Sequence, residues 1–206
     1  MSIRNDDSRT TGPREAPTIE DQILDAAYTC MLDFGLRRTT LAEVARRAGV
    51  SRPTVYRRWP DTRAIVADLL TREIRRLAPE SSGTGPTRQR LVHAVVTTAG
   101  AIGAHPLFEK IVNTDPEVLT TYIVDRLGTS QRMLLDTLTA GIGEGQRDGS
   151  IRPGDPRRIA VMVLLTAQSV VQSARAVADT APRDDMLTEL GYAVDAYLAP
   201  NPEGTP

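Results

Sequence analysis

A single cysteine, two histidines and few aromatic rings leave this chain with little catalytic equipment. Cys30, being alone, cannot form an intramolecular disulfide. It shares a helical face with Ile23, Ala27, Met31 and Phe34, so it reads as a buried structural thiol; a redox sensor would need an exposed, acidified site. Neither His93 nor His105 has a carboxylate or thiol at metal-ligand spacing, so no metal site is expected. Gly-x-Ser-x-Gly, His-Glu-x-x-His and Gly-Lys-Ser/Thr phosphate-loop motifs are all missing. The chain is therefore expected to be no enzyme and to carry no cofactor. With two Phe and one Trp, the core must be mainly aliphatic. β-Branched residues rarely alternate with polar ones, and long 3.6-residue patterns dominate, which points to an all-α fold. The longest apolar run, residues 159–165, has seven residues, against roughly 20 needed to span a bilayer. No apolar run occurs in MSIRNDDSRTTGPREAP at the N-terminus, so it does not read as a signal peptide. Residues 1–16 are expected to form a flexible arm. Arg4, Arg9 and Arg14 would permit a minor-groove contact there, and the neighbouring acids disfavour it. A soluble, cytoplasmic protein without a membrane partner is the expectation.

Residues 40–59, TLAEVARRAGVSRPTVYRRW, carry the most information. Thr40 can cap a first helix, with Glu43 completing a capping box. Leu41, Val44 and Ala45 share one face, and small Ala45 lets a second helix cross closely. Gly49 suits a left-handed turn. Ser51 then caps a second helix, Pro53 fits its first turn, and Val55 points back. Arg52, Thr54, Tyr56, Arg57 and Arg58 lie on the outer face. Arg can pair with guanine edges, while Thr and Tyr can meet phosphates. Between residues 36 and 63 there are eight Arg and two acids, net +6, whereas residues 1–35 carry −4 and residues 64–206 carry −3. Positive charge gathered at such a helix pair is the footprint of phosphate binding. Arginine runs are often merely solvated, but here caps, turn and charge coincide.

Residues 18–77 also resemble the N-terminal domain of the TetR/AcrR family of bacterial transcription regulators. The matching features are Phe34-Gly35 at the end of the first helix, Thr40 to Ala45, Ala48 to Ser51, and Tyr56 to Pro60 closing the recognition helix. The resemblance implies a homodimer whose recognition helices enter successive major grooves of a near-palindromic operator. It gives a three-helix helix-turn-helix domain at residues 17–77 and a helical ligand-binding and dimerisation domain at residues 78–206. One departure stands out. The family's phosphate-touching lysine after Pro60 is replaced by Thr62, with Arg63 beside it as a substitute. The expected DNA-binding residues are Thr40, Ser51, Arg52, Pro53, Thr54, Tyr56, Arg57, Arg58 and Arg63. Thr40 and Tyr56 should mainly hold phosphates, and Trp59 should pack beneath the fourth helix.

Helix one should start at Thr18, with Asp21 in the box position, and the fourth helix should span residues 61–77. Further helices are expected over 87–104, from His105-Pro106 onward, from Asp115-Pro116 to about 148 with a break near Gly128, over 155–178, and over 185–198. Residues 159–172 carry no charge, so that helix should be covered on more than one side. A symmetric four-helix interface between two chains is expected, formed by Val163, Val170, Leu187, Leu190, Val194 and Tyr197; plain intramolecular core is the alternative. The resemblance suggests a small-molecule pocket, with Phe108, Tyr122, Met133, Met162 and Gln168 as candidate lining. Buried amides need partners, and for Gln168 and Gln172 either an effector or a second subunit could supply them. Gly141, Gly143 and Gly145 are unusual in a helix, where each costs roughly 1 kcal/mol relative to alanine, and a ligand-responsive hinge is one reading of them. The function expected is a ligand-responsive repressor. An activator, or a ligand-binding scaffold without DNA binding, remains as an alternative.

Overall fold

The computed structural model describes residues 18–78, 84–114 and 128–200. Nine helices and no strand occur among them: α1 (Ile19–Phe34), α2 (Leu41–Arg47), α3 (Arg52–Arg58), α4 (Thr62–Leu77), α5 (Thr87–Ala104), α6 (Pro106–Thr114), α7 (Thr129–Arg147), α8 (Pro156–Ser173) and α9 (Arg183–Leu198). The fold is all-α. The N-terminal arm, the Asp115-Pro116 cap and Tyr122 lie outside the described residues.

Helix α1 begins with the expected reciprocal box. The Thr18 hydroxyl accepts from the Asp21 amide at 3.0 Å, and the Asp21 carboxylate accepts from the Thr18 amide at 3.3 Å. It ends at Gly35, whose φ of 79° turns the chain while its N–H returns to the Met31 carbonyl at 2.9 Å. Helices α1 to α4 enclose one core built on Ile23, Ala27, Met31, Val44, Val55, Trp59, Ile65 and Leu69. Cys30 lies fully inside it, and burial pushes its thiol pKa up, away from redox reactivity.

That core is completed from outside. Leu107 and Ile111 of α6 are 0% and 2% exposed and belong to the same cluster. Burying two such side chains contributes about 2 kcal/mol each, so α6 is packed into the N-terminal unit. A second core lies between α5, α7, α8 and α9, around Val95, Leu135, Ile142, Val163, Leu190 and Val194. Helix α4 touches α1 on one side and both α5 and α7 on the other, so it is shared by the two units.

A polar cluster sits where the units meet. Buried Glu73 on α4 holds Arg72 at 2.9 Å and Arg76 at 3.2 Å, and His105 Nε2 lies 3.9 Å from its other oxygen. Arg72 also reaches Asp25 of α1 at 2.8 Å. The His105 ring meets the rings of Tyr28 and Phe108 edge-on. Helix α5 starts at Pro86 without a local side-chain cap. A distant one replaces it: the Thr87 amide donates to Asp148 at 3.1 Å and the Arg88 amide to Ser150 at 3.1 Å. Asp148 also accepts from the Ser150 amide at 2.9 Å, and its bonds from Ser150 first, then Thr87, hold its carboxyl well below the usual carboxylate range.

Several expectations change. The helix from Asp155 ends at Ser173 rather than 178, and residues 174–180 form turns closed by bonds such as Ala176 N–H to Ser173 O and Thr180 N–H to Val177 O. Residues 175–180 are all exposed, so no packing sustains another helical turn. The last helix starts two residues earlier than expected, at Arg183. The stripe expected to meet a second subunit lies mostly in this chain's own core. Val163, Leu190 and Val194 are only 1–2% exposed, and Val170 and Leu187 pack against the same cluster. Tyr197 stays partly exposed, with the Arg152 guanidinium stacked 4.5 Å above its ring. The other exposed large apolar residues on α8 and α9 are Met162, Leu165 and Tyr192.

Helix α7 runs unbroken through Gly141, Gly143 and Gly145. Two of the glycines, Gly141 and Gly145, are points of close approach. A Cβ on Gly145 would lie 2.6 Å from Ile151 Cγ1, and one on Gly141 3.1 Å from Leu91 Cδ1, while one on Gly143 would meet nothing within 4 Å. Ile151 is β-branched and 3% exposed, so it cannot step aside. Chemical denaturation should therefore separate the three. Gly143→Ala should stabilise by up to about 1 kcal/mol through helix propensity. Gly145→Ala should destabilise by about 1–3 kcal/mol through overpacking. Equal effects at the two positions would remove this account.

Candidate nucleic-acid interface

Each of the two short helices is set by its first residue. The Thr40 hydroxyl accepts from the Glu43 amide at 3.2 Å. The expected return bond from Glu43 is absent, because its carboxylate is taken by Arg46 at 2.6 and 2.8 Å and by Arg47 at 3.3 Å. These guanidinium bonds, Arg46 first, pull the Glu43 carboxyl from 4.5 to about 2. A depressed carboxylate stabilises the fold above its unfolded pKa, so the clamp is intact at neutral pH and is lost only as pH falls through about 2. Gly49 adopts φ 67° with open space where a Cβ would stand. The backbone angle, not crowding, calls for glycine there. The Gln22 side chain of α1 donates to the Ala48 carbonyl at 2.8 Å and pins this turn.

Helix α3 follows from Ser51, whose hydroxyl accepts from the Thr54 amide at 3.3 Å and pairs with the Thr54 hydroxyl at 2.7 Å. Pro53 occupies the first turn. Val55 and Trp59 point inward, with 0% and 1% exposure. Beneath the helix, the Trp59 indole N–H donates to Asp68 of α4 at 2.8 Å. Arg52, Tyr56 and Arg57 are exposed on the other side. Asp61 caps α4 by accepting from the Ala64 amide at 2.8 Å, which leaves Arg63 exposed in the first turn beside half-buried Thr62.

Five of the eight arginines between residues 36 and 63 divide into two groups. Arg47 binds Asp33 at 2.6 Å and lies 4.9 Å over the Phe34 ring. Arg46 is held by Glu43, and Arg58 reaches back to Glu20 of α1 at 3.1 Å. Arg52 and Arg57 have no carboxylate within ion-pair distance among the described residues. The sequence could signal the local cap, but not Asp33, Glu20 or Asp68, which approach only through the fold.

Four of the five residues read as effector lining lie within the described segments. Phe108 is half-buried against His105, Met133 Sδ accepts from Arg75 Nε at 2.9 Å, and Met162 is 49% exposed. The half-buried Gln168 amide already has a partner, Gln131 Nε2 at 2.8 Å, while Gln172 is exposed. A cleft of about 430 Å³ opens elsewhere, between α1, α3, α4 and the start of α7; Arg58, Asp68, Arg72 and Arg75 are among its walls and none of these candidates is. No group of three metal-ligating side chains occurs among the described residues, and no single helix there is long and apolar enough to cross a bilayer.

This paired-helix geometry has known counterparts. Residues 23–69 match the model of the bacterial regulatory proteins of the tetR family. An HTH-type transcriptional regulator of Mycobacterium bovis is 44% identical over 198 residues, 96% of this chain and 99% of that one. The chain belongs to the TetR family. It is a DNA-binding transcription regulator and not an enzyme. Two solved structures share the fold of this chain. The regulator FadR of Bacillus subtilis, in complex with stearoyl-CoA, aligns with a TM-score of 0.57 at 18% identity, covering 86% of this chain and 96% of that one. RolR, in complex with resorcinol, aligns with a TM-score of 0.66 at 12% identity, covering 89% and 88%.

For this TetR-family chain the ion pairs predict different effects of replacing different arginines. Arg52→Ala and Arg57→Ala should each weaken DNA binding. A phosphate contact would show as a salt-dependence slope lower by about 1, and a guanine contact as a loss of about 1–3 kcal/mol at one base position. Arg46→Ala should leave slope and specificity unchanged. Titration of DNA binding against salt checks this, and a drop for Arg46→Ala equal to that for Arg57→Ala would contradict the division.

Proposed function

We propose that the protein is a ligand-responsive repressor that binds a near-palindromic operator as a dimer. The observation carrying this is the exposed face of Arg52, Tyr56 and Arg57 on a helix anchored from beneath by Val55 and Trp59. Thr40, Ser51, Pro53, Thr54 and Arg63 flank that face and complete the proposed contact surface. Arg58 joins it only by leaving Glu20. In a dimer, two such helices would stand about 34 Å apart, one groove repeat. Such a regulator would act in the cytoplasm.

The dimer face we propose differs from the one read in the sequence. Met162, Leu165, Ser169 and Gln172 form one exposed stripe on α8, and Tyr192, Ala193 and Ala196 form another on α9. The two helices pack together, so the stripes lie on adjacent elements. Met and Tyr among small residues are what interfaces enrich.

A small molecule held by the second domain would release the operator. It must bind the DNA-incompetent state more tightly, since equal affinity shifts nothing. Ligand-bound FadR and RolR support an effector of this kind without indicating its chemistry. Repression or activation then depends on where the operator lies relative to the promoter. A scaffold without DNA binding fits poorly with Arg52 and Arg57 held outward.

Selection from a random duplex pool should enrich inverted half-sites one helical repeat apart, and sedimentation should give a dimer at micromolar concentration. Leu165→Glu should yield a folded monomer with sharply weakened operator binding. Enrichment of no duplex in dilute salt would overturn the regulator reading, and a monomeric wild type would overturn the dimer.

A further inference from the structure

Val55 and Trp59 bury the recognition helix, but apolar burial is non-directional. It fixes how deep the helix sits and leaves it free to roll or slide by small amounts. A hydrogen bond supplies direction. The Trp59 indole has one N–H to give, and it goes to Asp68 Oδ2 at 2.8 Å. Trp59 closes the C-terminal end of α3, two residues beyond Arg57. A shift of this ring therefore moves the arginine that faces outward.

Asp68 is placed for this task rather than for pairing with its neighbours on α4. Arg72, one turn later, is already taken by Asp25 at 2.8 Å and Glu73 at 2.9 Å. Arg75 is directed to Met133. The same stretch of α4 is fastened to α1 through Arg72 and stands beside His105 through Glu73. Asp68 thus ties the ring to a stretch of α4 that Arg72 fastens to α1.

We propose that Asp68 is a positioning residue for sequence reading. Through the Trp59 indole it sets the roll of the recognition helix, and with it the aim of Arg57 at the base edges. This rests on the DNA-binding reading and on nothing about effector or repression. Phosphate contacts tolerate a small tilt, because they are spread over the surface and long side chains adapt. Base-edge contacts do not, since a bidentate pair needs its geometry. Loss of the bond should therefore lower specificity and spare general affinity.

The test measures fluorescence anisotropy with two probes, a duplex selected by the wild-type chain from a random pool and a scrambled duplex of the same length. Asp68→Leu should lower the ratio of the two affinities roughly tenfold, the scale of one hydrogen bond to a charged group. Its affinity for the scrambled probe and its salt slope should match wild type. Asp68→Asn keeps a carbonyl acceptor and should restore most of the ratio. Trp59→Phe should reproduce the Asp68→Leu loss, and the double variant should be no worse than either single one. A purely structural role predicts that both probes weaken together, as the folded fraction falls, and that result would overturn the proposal. So would an unchanged ratio in Asp68→Leu, or a loss in Asp68→Asn as large as in Asp68→Leu. Wild-type protein that enriches no duplex would instead sink the DNA-binding reading, and this inference with it.

Discussion

A seven-residue helix cannot hold its own shape in water. Isolated helices below roughly 12–15 residues are marginal, because nucleation consumes the gain from their few bonds. Both α2 and α3 have seven residues. Their existence and their angle are therefore borrowed from what they touch. Val44 and Ala45 face Val55 across a turn set by Gly49, and the 16-residue helices α1 and α4 form the frame. Every other feature of the N-terminal unit serves that loan: the Ser51 cap, the Gln22 bond to the turn, and Trp59 against α4. Helix α6 is part of the frame as well. Once Leu107 and Ile111 fill the N-terminal core, the second domain cannot shift relative to α1 without uncovering them.

Charge follows the same logic. The linear excess of +6 between residues 36 and 63 suggests a uniformly positive face. In space, Asp33 and Glu20 of α1 approach Arg47 and Arg58, and Glu43 holds Arg46. Exposed pairs of this sort stabilise a fold little. Their larger effect is to decide which arginines keep an unscreened charge. Arg52 and Arg57, outside these pairs, stand on the outer face of the one helix shaped for a groove. A diffuse positive surface would favour any duplex, whereas a focused one gives base contacts a larger share of the binding energy.

Much of this was legible in the residues, and the limits have physical causes. Caps and turns are local, so Thr18, Gly49 and Ser51 could be read directly and act as expected, and Thr40 caps its helix without the return bond from Glu43. Helix existence was legible for the same reason. Distant partners were not. Nothing near Pro86 indicates that Asp148 and Ser150 cap α5, and nothing near Gln168 indicates Gln131. What Gly141 and Gly145 of α7 admit was not legible, because a sequence shows backbone freedom but not the side chain that packs there. Ile151, six residues beyond Gly145, bends back onto it only after the chain turns.

The stripe read in the sequence as an association face lies mostly in this chain's own core, for a general reason. Periodicity reveals an apolar stripe but not what covers it. Helix α8 is uncharged from residue 159 to residue 172, so it offers two candidate faces. The stronger hydrophobes, Ile159, Val163 and Leu164, are buried within the chain. Folding makes that outcome the rule: intramolecular contacts form without the translational and rotational loss that association carries. The core therefore takes the most apolar face, and a partner can be offered only what remains. What remains here is Met162, Leu165 and Tyr192 set among serine, glutamine and alanine. That surface is apolar enough to bury and polar enough for a free chain to stay in solution. The absence of charge along α8 therefore points outward as well as inward, because a helix facing only its own core could carry arginines on its far side at no cost.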